Sequence, residues 1–169
     1  MAEETRDKLV AWLASAGYIV APAEQGLPPQ ASWGLMVATP PPVQVKMRII
    51  GLRNGAVIAG IGVNFADVHR REIMKLEPAE RSSFVAGLLS GIIQLCPYCR
   101  VALQGGMLSP EAVVAEILYA GDTLSKQRVI DDMARLVNIF MYINMELWRR
   151  FPEAHIKEGG GTQPSTGFM

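Results

Sequence analysis

The sequence predicts an α+β fold: one antiparallel five-stranded sheet enclosed by helices, in the order α-β-β-β-α-β-β-α. Three patterns carry that expectation. Val43, Val45, Met47 and Ile49 alternate with Gln44, Lys46 and Arg48, the period of a strand with one buried face. Phe84, Val85, Leu88, Leu89, Ile92 and Ile93 recur at helical spacing. Val129, Met133, Leu136, Phe140, Ile143 and Leu147 repeat that spacing along a far longer segment near the C-terminus.

In chain order, residues 3–16 form an amphipathic helix whose apolar side is Leu9, Val10, Leu13 and Ala16, with Gly17 placed to end it. Pro22 to Gln30 lacks periodicity and reads as a loop. Trp33, Leu35, Val37 and Thr39 alternate as a first strand. Pro40, Pro41 and Pro42 turn the chain into the second, which runs from Val43 to Ile49. Asn54 and Gly55 tolerate positive φ, and Val57, Ile61, Val63 and Phe65 make a third strand, completing a meander. Ala66 to Leu76 stays undecided between loop and short helix. Pro78 suits the first turn of the second helix, which ends before Pro97. Cys99, Val101 and Leu103 alternate as a fourth strand, with Cys99 expected to be buried in it. Residues 110–119 fit helix or strand, and the strand is favoured. Ser125 or a neighbour caps a last helix from Lys126 to about Arg150, nearly 40 Å long at about 1.5 Å per residue.

At 169 residues the chain supports one core, so residues 1–158 are expected to form a single domain with a flexible tail at 159–169. Sixteen basic residues balance sixteen acidic ones, which argues against a nucleic-acid partner. No run approaches the roughly 20 apolar residues of a membrane span, and a cytoplasmic location is expected. Two cysteines are too few for a secreted disulfide scaffold, although cytoplasmic disulfides do occur in hyperthermophiles.

The last helix carries more apolar surface than a sheet can cover. Ile130, Val137, Met141 and Trp148 form a second stripe about 100° from the first, and Ile139, Tyr142 and Met145 add a third side. A helix on a sheet buries one stripe, so the rest calls for a neighbouring helix, a second molecule or both. Ile139, Tyr142, Met145 and Trp148 are therefore the candidate partner or dimer surface. A wholly internal helix in a thick monomer core is the competing reading.

Cys96-Pro97-Tyr98-Cys99 has the same four residues as the active site of dithiol glutaredoxins. That resemblance extends no further. In that family the first cysteine opens a helix, whose dipole favours the thiolate; here a helix precedes the motif and a strand follows, so Cys96 meets the negative end. Cys96 and Cys99 are thus redox candidates against a structural or incidental alternative. No metal site is expected, because a zinc site would need His69 and His155 to converge on the cysteines. His69, Arg70, Arg71 and Lys75 are a candidate basic patch, with an ordinary solvated surface as the alternative. Gly60 and Gly62 lie within a strand and make no phosphate loop, so no cofactor is expected. No catalytic constellation emerges from two histidines, and Asp131 beside Asp132 reads as a solubilising pair.

The element order, with Val114 to Gly121 leading into Leu124-Ser125-Lys126 and a long apolar helix, resembles the type III secretion chaperone-like superfamily. That group includes YbjN-like proteins and archaeal families of unknown function. The resemblance covers about residues 3–150 and implies a small dimer that binds a partner polypeptide on sheet and helix surfaces rather than a catalyst. It transfers no functional residue. The expected function is therefore a non-enzymatic, homodimeric protein-binding or chaperone-like domain; a thiol redox or redox-sensing protein is the alternative.

Overall fold

The computed structural model describes residues 2–157, so the tail expected at 159–169 lies outside the described residues. Helix α1 (Ala2–Ser15) leads into strands β1 (Ile19–Pro22), β2 (Ala31–Ala38), β3 (Lys46–Leu52) and β4 (Val57–Asn64). Helices α2 (Asp67–Lys75) and α3 (Pro78–Leu95) follow, then β5 (Arg100–Gln104), β6 (Ala112–Tyr119), a single 3-10 turn, α4 (Lys126–Arg150) and α5 (Pro152–Lys157). The fold is α+β as expected. The sheet has six strands rather than five, ordered β1-β2-β3-β4-β6-β5 with every neighbouring pair antiparallel. The additional strand is β1, a four-residue edge paired to β2, and it is mostly exposed, so no hydrophobic alternation announces it.

Residues of one sheet face meet across the register: Leu35, Ile49, Ala59 and Ile117 form one row, and Ile61, Ala115 and Val101 another. With Leu9, Leu13, Leu88, Ile92 and the α4 stripe they make the core. Helix α4 lies over β4, with α1 and α3 packed against it. The expectation of a sheet enclosed by helices is corrected here. Alternate residues Met36, Ile50, Ile58 and Val114 are half-buried and Leu118 is exposed, on a face turned away from that core. Part of this open face is roofed by residues 23–30: Leu27 packs on Gly34, and Arg48 donates to the carbonyls of Gln25 and Gly26. Arg48 was expected in water; it is buried because that loop needs a donor for carbonyls no strand satisfies.

The segment left undecided is helix α2, continued almost at once by α3. Arg81 of α3 fastens the two. Its guanidinium donates to the carbonyls of Ile73, Met74 and Leu76 at 3.1, 2.8 and 2.8 Å, and to Leu108 O at 2.7 Å. It thereby adds a side-chain donor to carbonyls at and just past the end of α2, one of which, Ile73 O, also accepts from Leu76 N, and it anchors the β5–β6 connection. Residues 112–119 are a strand, and α4 begins on the Ser125 cap, whose Oγ accepts from Arg128 N. No described helix is long and apolar enough to cross a membrane.

Candidate functional site

Helices α3 and α4 run antiparallel. Phe84 meets Phe151 with ring centroids 5.5 Å apart, Gly91 faces Tyr142, and Arg135 reaches Leu95 O at 3.4 Å. That packing decides the fate of the candidate partner surface. Ile139 lies one turn from both Arg135 and Tyr142 on the flank that α3 covers, and it is wholly buried, so it leaves the candidate set. Tyr142 is half-buried on the same flank. Met145 and Trp148 remain 55% and 51% exposed, and Met141, one turn away, is 44% exposed. With Ala134 and Asn138, also exposed, these residues form one continuous stripe along the outer side of α4.

At the other end of the α3–α4 pair, Cys96 and Cys99 are joined in a disulfide. Their burial reverses the expectation. Cys96, at the C-terminal cap of α3, is fully buried, whereas Cys99 lies in a bend before β5 and keeps part of its surface. Cys99 N donates to Cys96 O at 3.1 Å, which closes a tight turn and projects Tyr98 outward over α4.

There Tyr98 meets a group that reading along the chain did not assemble. Asp132 is 1% exposed; it accepts from the Tyr98 hydroxyl at 2.5 Å on Oδ1 and from the Tyr119 hydroxyl at 2.8 Å on Oδ2. Arg128 Nε lies 3.7 Å from the same carboxylate. The guanidinium of Arg128 sits 5.9 Å from the Tyr98 ring centroid and 5.6 Å from that of Tyr119, while Arg135 stacks on Tyr98 at 5.2 Å. The solubilising role read for Asp132 is thus corrected: only Asp131 faces water. Position 132 lies three residues after Val129 and four before Leu136, so it falls beside the apolar stripe, a placement visible on a helical wheel.

Burial, followed by the bond to Asp132, pushes the Tyr119 hydroxyl far above the ordinary tyrosine value. Tyr98 shifts the same way for the same first cause. Above about pH 10 an unfolded tyrosine releases its proton while Tyr119 keeps its own, so the folded chain binds the extra proton and stability falls as pH rises. Urea unfolding between pH 9 and 11.5 is expected to show a decline approaching about 1.4 kcal/mol per pH unit from this residue. Tyr119→Phe is expected to make it shallower; an unchanged slope would contradict that assignment.

The basic patch does not assemble. His69 is fully buried, Arg70 pairs with Asp67 and Glu111, and Lys75 pairs with Glu72 at 2.6 Å, while Arg71 is exposed. Among the described residues no three His, Cys, Asp or Glu side chains converge to hold a metal, and the side chain of His155 is outside that description.

These features define a one-sided α+β sheet protein with a tyrosine-bound carboxylate and a disulfide at one end of a helix pair. The chain belongs to DUF2299, a family described as an uncharacterized conserved protein, which it matches over residues 5–147. Its fold is similar to the crystal structure of an uncharacterized protein from Methanothermobacter thermautotrophicus, with a TM-score of 0.75 and 15% identity over 87% of this chain and 99% of that one. No curated protein matches.

Proposed function

We propose that the protein is a non-enzymatic, chaperone-like binding domain that works as a homodimer joined through α4. The observation that supports this reading is the exposed stripe of Met141, Met145 and Trp148 on a helix whose other sides are already packed. Three large side chains left half in water forgo several kcal/mol at roughly 25 cal/mol per Å². A second copy is the occupant the pattern favours. If two α4 helices cross antiparallel at Met141, Trp148 stands opposite Ala134 of the partner subunit, Met145 opposite Asn138 of the partner subunit, and Asp131 opposite Arg149 of the partner subunit. Large side chains then meet small ones and an acid meets a base, as an isologous two-fold contact requires. The open sheet face around Ile58, Val114 and Leu118 stays available for a polypeptide partner.

Light scattering over a concentration series is expected to give twice the 18.4 kDa of one chain. Met141→Asp and Trp148→Asp are expected to return it to one chain, and Leu118→Asp, on the opposite face, to leave the pair intact. A particle of one chain at every concentration, or a pair lost equally with Leu118→Asp, would overturn the reading.

A further inference from the structure

We propose that the Cys96–Cys99 disulfide is a thiol–disulfide exchange site, opened by an external dithiol that attacks Cys99, and that its redox state decides whether Tyr98 is held on Asp132. Three observations point there together. The two sulfurs differ in access: Cys96 is enclosed in the core cluster, whereas Cys99 sits half-buried in a surface bend between exposed Tyr98 and exposed Arg100. The disulfide closes the turn that carries Tyr98, and Tyr98 spends its hydroxyl on a buried carboxylate of another helix. The bridge spans only three residues of sequence, so it constrains the unfolded chain little and its opening is expected to leave the fold standing.

In the forward step a thiolate of the dithiol bonds to Cys99 Sγ as the protein S–S bond breaks. The electron pair leaves on Cys96 Sγ, which is protonated by water that enters as the 96–99 turn opens, so that no thiolate persists at the end of α3. The second thiolate of the reductant then attacks its own sulfur in the mixed disulfide, releasing Cys99 as thiolate, which is protonated in turn. Two electrons pass to the protein, and the reductant ends as a disulfide. Cys96 makes a poor attacking group, because it is buried at the C-terminal end of α3 where the helix dipole opposes negative charge. That places the entry point three residues later than in the helix-opening CPYC motif of the glutaredoxins. With the bridge open, the 96–99 turn is free to relax. Tyr98 then leaves Asp132 with Tyr119 and Arg128 as its remaining partners.

Single-cysteine variants test the entry point, with an aromatic disulfide reagent as the probe. Cys96→Ser, which keeps Cys99, is expected to form the mixed disulfide roughly tenfold or more faster than Cys99→Ser, whose remaining thiol is reached only by local opening. Circular dichroism confirms that each variant is folded. In the native chain, millimolar dithiothreitol is expected to yield two thiols and to shift the Tyr98 ring resonances in NMR, with Tyr98→Phe supplying the assignment. Equal or faster reaction of Cys99→Ser, a bridge that resists dithiothreitol in the folded chain, or Tyr98 resonances unmoved by reduction would each overturn the proposal.

Discussion

Asp132→Ala is expected to lower the unfolding free energy by about 3 kcal/mol, most of it from a Tyr119 hydroxyl left buried without an acceptor. Tyr119 is 2% exposed and cannot turn to water, whereas Tyr98 is 47% exposed and can. The loss is therefore asymmetric between the two tyrosines. Asp132→Asn keeps the shape and one acceptor oxygen and is expected to cost about half as much. Tyr119→Phe in the Asp132→Ala background removes the orphaned hydroxyl and is expected to recover part of the loss. Chemical denaturation of the parent, Asp132→Ala, Tyr119→Phe and the double variant closes a double-mutant cycle, and simple additivity would show that the two groups do not act as a unit.

Gly51→Val is the second large effect. Gly51 is paired with Trp33 in the β2–β3 register, and a β-carbon there would lie 2.1 Å from the indole Cε2 and 2.4 Å from Nε1. Trp33 is 8% exposed and lines two surface pockets of about 430 and 630 Å³. A branched side chain at 51 must drive the indole into one of them. Overpacking of this kind costs about 3 kcal/mol, a melting point lower by roughly 6–12 °C for a chain of this size. Trp33→Leu in the Gly51→Val background makes room on the same face and is expected to restore part of the lost melting temperature. A Gly51→Val protein that melts like the parent would show that the ring is not confined.

These two sites also show what could be read from the chain. β2, β3, β4, β6, α3 and α4 were legible because each buries one face, and burial writes a period of 2 or 3.6 into the residue order. Strand β1 left no such trace: it is four residues long, at an edge, and held by backbone pairing that needs no particular side chain. Helix α2 hid for the opposite reason, since fully buried His69 occupies a place where an apolar residue would have declared the period. Arg48 broke the alternation of β3 because a loop more than twenty residues earlier folds over it. Asp132 looked like half of a solvated pair, and its partners Tyr98 and Tyr119 stand 34 and 13 residues away. Local patterns report which face is buried; they do not report which polar groups from separate elements satisfy one another across that burial.

The α4 stripe is the point on which the functional account turns, and distances between two copies test it most directly. Spin labels at Gln127→Cys and, in a separate protein, at Arg150→Cys flank the crossing without entering it. For antiparallel helices meeting at Met141, pulsed electron resonance is expected to read about 40 Å between Gln127 labels and about 27 Å between Arg150 labels, from a rise of about 1.5 Å per residue. The absence of dipolar coupling at both positions, or two equally short distances, would contradict a dimer built on this helix.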